Sequence, residues 1–385
     1  MSKNYDAIII GAGFAGATVA NRLAENNKSV LVIEKRNHIG GNAYDLPDDA
    51  GVLIHQYGPH IFHTNNKEVY DYLSRFTQWL NYQHKVVANL KDKEIPVPFN
   101  LNSLYLVYDE EKAQRIEKKL IDTYGMEQKV TILDLKQNSD PELKELAQFV
   151  YDNVFVYYTM KQWDKSPEEI DPNTTARVPV FVSRDDRYFQ DTYQGMPKDG
   201  YTKIFENMLD NPNIEVMLDT DAKDVVEFAQ QDILFKGEKF EGSVIFTGAI
   251  DTLFDCCYGR LPYRTLDFIF ETFDKDYVQS HGTINYTISE DYTRITEFKH
   301  MTGQVLKGKT TTCKEYSKAY TGDEKETPYY AIINEENNAL YQQYKEKCDK
   351  YKNMYLLGRL AEYKYYNMDA IVERALELSK QLLGG

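Results

Sequence analysis

The stretch "YDAIIIGAGFAGATVANRLAENNKSVLVIEKR", Tyr5–Arg36, decides the fold. It reads as an apolar strand over Ala7–Ile10, a glycine turn, a helix, and a second apolar strand over Val30–Ile33. Gly11, Gly13 and Gly16 give G-x-G-x-x-G at the strand-to-helix junction, with Phe14 and Ala15 opening the helix. The first glycine allows a tight turn, the second lets a pyrophosphate approach the backbone, and the third lets helix and strand pack closely. Free N–H groups and the dipole at the helix N-terminus favour an anion there. Glu34, followed by Lys35, ends the second strand where a carboxylate receives a ribose hydroxyl. A glycine triplet alone is often no more than a turn. Here strand, helix, second strand and acidic residue agree, and the reading is a Rossmann-type dinucleotide-binding unit in an α/β protein.

Just downstream, "RNHIGGNAYD" places Gly41 and Asn42 in a second glycine-rich loop. Such a loop suits chains that bind FAD, where it also passes over the cofactor; the plain alternative is an ordinary glycine turn. No second G-x-G-x-x-G follows. A flavin enzyme that draws hydride from NAD(P)H through its own nicotinamide domain would carry one.

A chain of 385 residues exceeds one hydrophobic core, so two or three domains are expected. A net charge of −15 argues against a nucleic-acid or anionic-membrane partner. It leaves room for an anionic small molecule, because a few arginines in one cleft outweigh the surface locally. No apolar run approaches the ~18 residues of a membrane span. The opening "MSKNYDAIII" lacks a cationic leader, and the four cysteines fit neither a metal spacing nor a disulfide framework. A cytoplasmic location with reduced thiols and no metal is expected.

Asn102–Phe149 is helix-rich by its three- and four-residue apolar spacing, and about 214–247 reads as short strands. Tyr263 to about Ile333, rich in Thr, Tyr and Phe, suggests an antiparallel sheet, and a closing helix begins at about Met368. That helix N-terminus is placed to face a ring system, with the preceding loop lining the pocket.

Taken together, "GAGFAG", "IGGNAYD", "YGPHIFHT", "YYTMKQW", "QGMPKDGYTKI", "YRTLDF", "YTRITEFK", "KEYSKAY" and "GRLAEYKYYNMDAI" resemble the bacterial UDP-galactopyranose mutases nearly end to end. The resemblance implies an FAD-dependent isomerase that interconverts UDP-galactopyranose and UDP-galactofuranose for cell-surface polysaccharide. In that family reduced flavin N5 attacks the anomeric carbon while UDP leaves, so no net electrons move and a reductant, unidentified here, must first reduce the flavin. The implied fold is an FAD domain (1–80, 201–250, 340–385) with an inserted helical domain (102–165) and a six-stranded antiparallel sheet domain (81–101, 166–200 with a substrate loop, 251–339), in a homodimer.

The same resemblance assigns residues. In "VFVYYTMKQW", Phe155 and Tyr158 sandwich uracil, with Thr159 and Trp163 beside ribose and diphosphate; the plain alternative is helix core. Arg177 and Arg294 grip the diphosphate from opposite sides, as guanidinium forks suit phosphate oxygens. Arg177 lies in a Pro-, Asp-, Ser- and Thr-rich stretch that reads as an exposed, mobile arm, and Arg294 in a fixed strand. Tyr188, Tyr316 and Tyr365 add hydrogen bonds to phosphate, and Asn285 approaches the nucleotide. His60, Ile61 and His63 fall near the flavin, His63 as a neutral orienting group; a satisfied structural histidine is the alternative. Arg359, Asn367 and Met368 lie against flavin or sugar, and His84 on the sugar side. His84 and Asn367 depart from the asparagine and aspartate common in relatives.

Two other classes share parts of this pattern. A flavin oxidoreductase of the amine-oxidase type has the FAD domain but needs no arginines around a diphosphate. A binding protein of the GDP-dissociation-inhibitor type has a related fold without flavin and would be colourless. Tyr158→Ala is expected to weaken UDP binding by roughly 1–3 kcal/mol, the worth of one stacked base; calorimetric titration showing unchanged affinity would make Tyr158 a core residue.

Overall fold

The apolar runs on either side of the glycine turn become neighbouring strands. Ala7–Ile10 pairs in parallel with Val30–Ile33 on one side and Ser243–Phe246 on the other. Ile214–Met217 and Met354–Leu356 complete a five-stranded, wholly parallel sheet. Every residue of Ala7–Ile10 and Val30–Ile33 is buried, as a parallel sheet covered on both faces requires. Successive side chains go to opposite faces. Ile9 and Val32 join the helices Phe14–Glu25, Tyr201–Leu209 and Met368–Leu382, whereas Ile8 and Leu31 meet Tyr341 and Tyr344 of the helix Glu335–Cys348. The computed structural model of the protein describes residues 4–91, 93–163 and 179–384, apart from the side chains of Tyr158, Gln162 and Trp163.

A second sheet runs, in order, Tyr330–Ala331, Tyr263–Phe273, Thr310–Ala319, Arg294–Glu297, Thr283–Tyr286, Val86–Leu90 and Lys93–Val97. It thus has seven strands among the described residues, not six, the extra one being the two-residue edge Tyr330–Ala331. Nor is it wholly antiparallel, since Thr283–Tyr286 and Val86–Leu90 pair in parallel. Those two strands come from distant parts of the chain, so no hairpin turn dictates an antiparallel pairing.

The helix-rich stretch forms Leu101–Val107, Glu110–Tyr124, Ile132–Gln137 and Pro141–Val150. Asn100, Asp109, Thr131 and Asp140 each cap one of these starts by accepting a backbone N–H. A short strand, Gln128–Thr131, interrupts them and pairs with Pro179–Val182.

The glycine turn holds the helix Phe14–Glu25 against the first strand. A Cβ added to Gly16 would stand 2.0 Å from the carbonyl oxygen of Gly11, a backbone atom that cannot swing aside. At Gly13 the nearest atom would be 3.6 Å away, an ordinary contact. Gly16→Ala is therefore expected to destabilise the fold by about 1–3 kcal/mol or more, as overpacked cores do. Gly13→Ala should stay within about 0.5 kcal/mol of the parent in urea unfolding of the cofactor-free protein.

Candidate active site

A cavity of about 1340 Å³ opens at the carboxyl ends of the parallel strands, lined there by Ile10, Ile33 and Phe246, and reaches Asn285, Arg294 and Glu315 of the second sheet. This is the topological switch point, where the chain leaves the central strand in opposite directions and open α/β sheets take their ligands. The volume exceeds the ~300–1,000 Å³ of a pocket for one small molecule, so there is room for two.

At the parallel-sheet end, Gly11, Gly13, Phe14, Ala15, Glu34, Lys35, Gly41 and Asn42 line the wall. The helix Phe14–Glu25 has no side-chain cap and no acidic residue in its first turn, leaving its leading N–H groups for an anion. Packing does not demand Gly13, and Gly41 faces it backbone to backbone, so a bare trough runs beside that helix start. These residues fit the pyrophosphate of a dinucleotide. Glu34 is buried, with Oε2 accepting from the N–H of Ala12 at 2.8 Å and Oε1 from that of Arg36 at 3.0 Å. Gly16 lies off the wall, in the helix–strand contact.

His60, Ile61, His63, Arg359, Asn367 and Met368 line the middle. Burial, with His55 and Arg359 adding, pulls His60 down to about 4, so it is neutral near pH 7. Its Nδ1 lies 2.9 Å from the carbonyl of Gly58 and, in the neutral ring, donates there. Asn367 sits at the N-terminus of the closing helix Met368–Leu382 without making a side-chain cap, but Asp369 in the first turn accepts from the N–H of Ala370 at 2.8 Å and from the hydroxyl of Thr64 at 2.9 Å, so this helix start already carries an anion. Arg359 donates to the carbonyl of Tyr366 at 2.5 Å, and its guanidinium carbon stands 4.9 Å from the ring centre of Tyr365.

The far wall is a row across three strands: Asn285 opposes Arg294, and Arg294 opposes Glu315. Nε of Arg294 lies 2.8 Å from Oε1 of Glu315, which is 1% exposed. Burial pushes the Glu315 carboxyl up, and Arg294 opposes that shift. Oδ1 of buried Asn285 has no partner among the described residues, an acceptor left at the cavity wall. Tyr188, His84 and Tyr365 complete this end. Tyr188 is 38% exposed, its ring bordering the cavity. Burial, then Arg294 and His63, lower His84 to about 3.

Phe155, Thr159 and Tyr316 are not on the cavity wall. Phe155 ends the widened helical turn Tyr151–Phe155, Thr159 is buried in the helix Val156–Trp163, and Tyr316 packs edge-on against Tyr292. Arg177 lies outside the described residues, as do the side chains of Tyr158 and Trp163. Sequence reasoning passed over Arg36, Phe189 and Glu315, all in the wall. Arg36, two residues past Glu34, stacks 4.2 Å over Tyr57 and donates to Asn42 at 3.0 Å; its place after the acidic residue was the available signal. Glu315 has none, because its role comes from strand register.

A family model described as UDP-galactopyranose mutase matches residues 153–365, and one described as a NAD(P)-binding Rossmann-like domain matches 9–76. A UDP-galactopyranose mutase of Mycoplasma genitalium is 36% identical over 99% of this chain and 95% of its own length. A dTDP-fucopyranose mutase of Escherichia coli is 37% identical over 97% of both chains. A solved structure of reduced UDP-galactopyranose mutase superposes with a TM-score of 0.69 at 16% identity, covering 99% of this chain and 94% of that one, a likeness of fold.

The histidines give a pH test. His55, His60 and His84 are all held below the ordinary 6.5, by burial first in each case. Above pH 6.5 both folded and unfolded states leave them neutral; below it the unfolded chain takes up protons that the folded chain refuses. Stability should therefore fall as pH drops from 6.5 towards 4, and His84→Asn should flatten that slope in thermal unfolding from pH 7 to 4.5.

Proposed function

The chain belongs to the UDP-galactopyranose mutase family, and from that premise we propose that it interconverts UDP-galactopyranose and UDP-galactofuranose on a bound FAD. The observation that carries the reading is one cavity that joins the uncapped glycine-turn helix to the Asn285–Arg294–Glu315 row. A cofactor pyrophosphate at one end and a substrate diphosphate at the other would bring isoalloxazine and sugar together between His60, His63 and Arg359. Bound and reduced, the flavin supplies the nucleophile, at N5, for the anomeric carbon from which UDP departs.

The chain's own residues then have to hold and shield. Arg294, fixed by its strand and by Glu315, takes one side of the diphosphate and Arg177 the other, with Tyr188 and Tyr365 donating hydroxyls; Tyr316, off the wall against Tyr292, takes part only by the family likeness. The family likeness gives the base and ribose to Phe155, Tyr158, Thr159 and Trp163, of which Phe155 and Thr159 stand off the cavity wall, and Asn285 offers its unpartnered oxygen to a nucleotide or sugar hydroxyl. Gly11, Gly13, Gly41, Glu34, Asn42 and Met368 cradle the cofactor. Neutral His84 and His60 border the sugar and ring without adding charge. An amine-oxidase reaction would have no use for the arginine row. No described helix is long and apolar enough to cross a membrane; a cytoplasmic homodimer reduced by a separate donor is part of the proposal.

The dTDP-fucopyranose mutase at 37% identity favours a second reading, in which the same isomerisation is performed on a dTDP-linked 6-deoxy sugar. Incubating the dithionite-reduced protein with UDP-galactofuranose and with dTDP-fucofuranose, and separating products by chromatography, decides between them. The expected result is turnover of the uridine nucleotide, at least tenfold faster in kcat/KM, and only after reduction. Equal turnover by oxidised protein would remove the flavin-nucleophile step, and a preference for the thymidine nucleotide would install the second reading.

A further inference from the structure

His63 is held more tightly than a residue that merely borders a cavity needs to be. It sits on the short strand Phe62–Thr64, whose antiparallel partner Tyr193–Pro197 places Gln194 opposite it. The Gln194 side chain turns back and donates to the carbonyls of Phe189 at 3.1 Å and Asp191 at 2.9 Å, shaping the loop between them. That loop grips the imidazole twice. The Phe189 ring stacks on it at 3.6 Å between centroids and 13° between planes. Oδ2 of Asp191 lies 3.2 Å from Nδ1. Asp191 is itself braced, because its Oδ1 accepts from Asn65 at 3.1 Å while the Asn65 amide oxygen accepts from the backbone N–H of Thr192 at 2.9 Å.

His63 and Phe189 line the cavity, and Asp191 stands behind them, outside the lining. A carboxylate accepts and does not donate, so the proton of a neutral His63 belongs on Nδ1 and the lone pair on Nε2. We infer that Asp191 is a positioning residue that locks His63 as the Nδ1–H tautomer and presents Nε2 to the cavity as a hydrogen-bond and proton acceptor for a sugar hydroxyl. This rests on the proposed function for the identity of the hydroxyl, but not for the tautomer. The geometry is that of a carboxylate orienting an imidazole whose other nitrogen does the work. Nothing in the sequence pairs residues 63 and 191; only the strand pairing does.

The test reads tautomer and turnover separately. Long-range ¹H–¹⁵N correlation spectra of the ¹⁵N-histidine-labelled full chain, without sugar nucleotide, report which nitrogen of His63 is protonated, His63→Gln supplying the assignment. The wild type should show Nδ1–H, and Asp191→Asn should lose that preference. In the reduced enzyme Asp191→Asn should lower kcat by about 10²-fold, the usual worth of a positioned acid–base group, with UDP affinity unchanged. Asp191→Glu should recover part of that loss. Asn65→Ala, which removes only the brace, should give a smaller loss of the same kind and carries the test should Asp191→Asn fail to fold. Protonation of wild-type His63 on Nε2, or an Asp191→Asn variant with wild-type tautomer and kcat, overturns the inference. A wild type inactive on both nucleotide sugars instead overturns the proposed function, while the spectra still decide the dyad.

Discussion

The closeness of one helix to one strand governs the rest of this protein. Because Gly11 turns through a φ of 110° and Gly16 carries no Cβ, the helix Phe14–Glu25 starts directly above the end of the strand Ala7–Ile10. A helix set back by one methyl group would move its N-terminal N–H groups away from the crevice between diverging strands, and the anion site would lose its geometry. The same constraint fixes Glu34, since one of its oxygens accepts from Ala12 inside the turn. The turn thus carries both the fold and one end of the cavity.

The other end depends on register. Asn285, Arg294 and Glu315 lie on three successive strands and are brought side by side only by the register of their pairing. A slip of one residue in any of those pairings would turn Arg294 to the opposite face of the sheet. Burying Glu315 beneath Arg294 is costly on its own terms, because desolvating two charges commonly offsets their attraction. The return is an arginine with little freedom to leave the wall. A surface arginine would lose side-chain entropy on gripping a diphosphate, whereas here most of that ordering is complete before any ligand arrives.

These two ends differ in how far the sequence discloses them. The glycine turn is local: its strands, its helix and its acidic residue lie within Tyr5–Arg36, and the strands fall at Ala7–Ile10 and Val30–Ile33 as their apolar runs indicate. The histidines, Tyr188, Asn285, Arg294, Arg359 and Asn367 were legible only through a family likeness, and the cavity does bring them together. Glu315, Phe189 and Asp191 were not legible at all: Glu315 is placed by cross-strand register, and Phe189 and Asp191 by a loop that closes on the distant His63, and neither leaves a spacing rule in the sequence. The sheet count failed for a related reason. A two-residue edge such as Tyr330–Ala331 has no periodicity to read, and the parallel pairing of Thr283–Tyr286 with Val86–Leu90 is set by packing rather than by a turn.

A chain of net charge −15 that, on the proposed function, holds two anionic diphosphates must keep its own carboxylates from repelling them. Two carboxylates of the cavity wall are engaged. Glu34 accepts from two backbone N–H groups, and Glu315 is set against Arg294. The helix start at Phe14, with no side-chain cap and no acidic residue in its first turn, adds partial positive charge that needs no side chain. His60 and His84 contribute none, since burial keeps them neutral. Binding strength at such a site comes from oriented dipoles and a few fixed guanidinium groups in a low-dielectric pocket, where they are screened far less by salt than surface charges are. The acidity of the surface then acts on solubility and on the choice of partners, and leaves the interior field to the residues that line it.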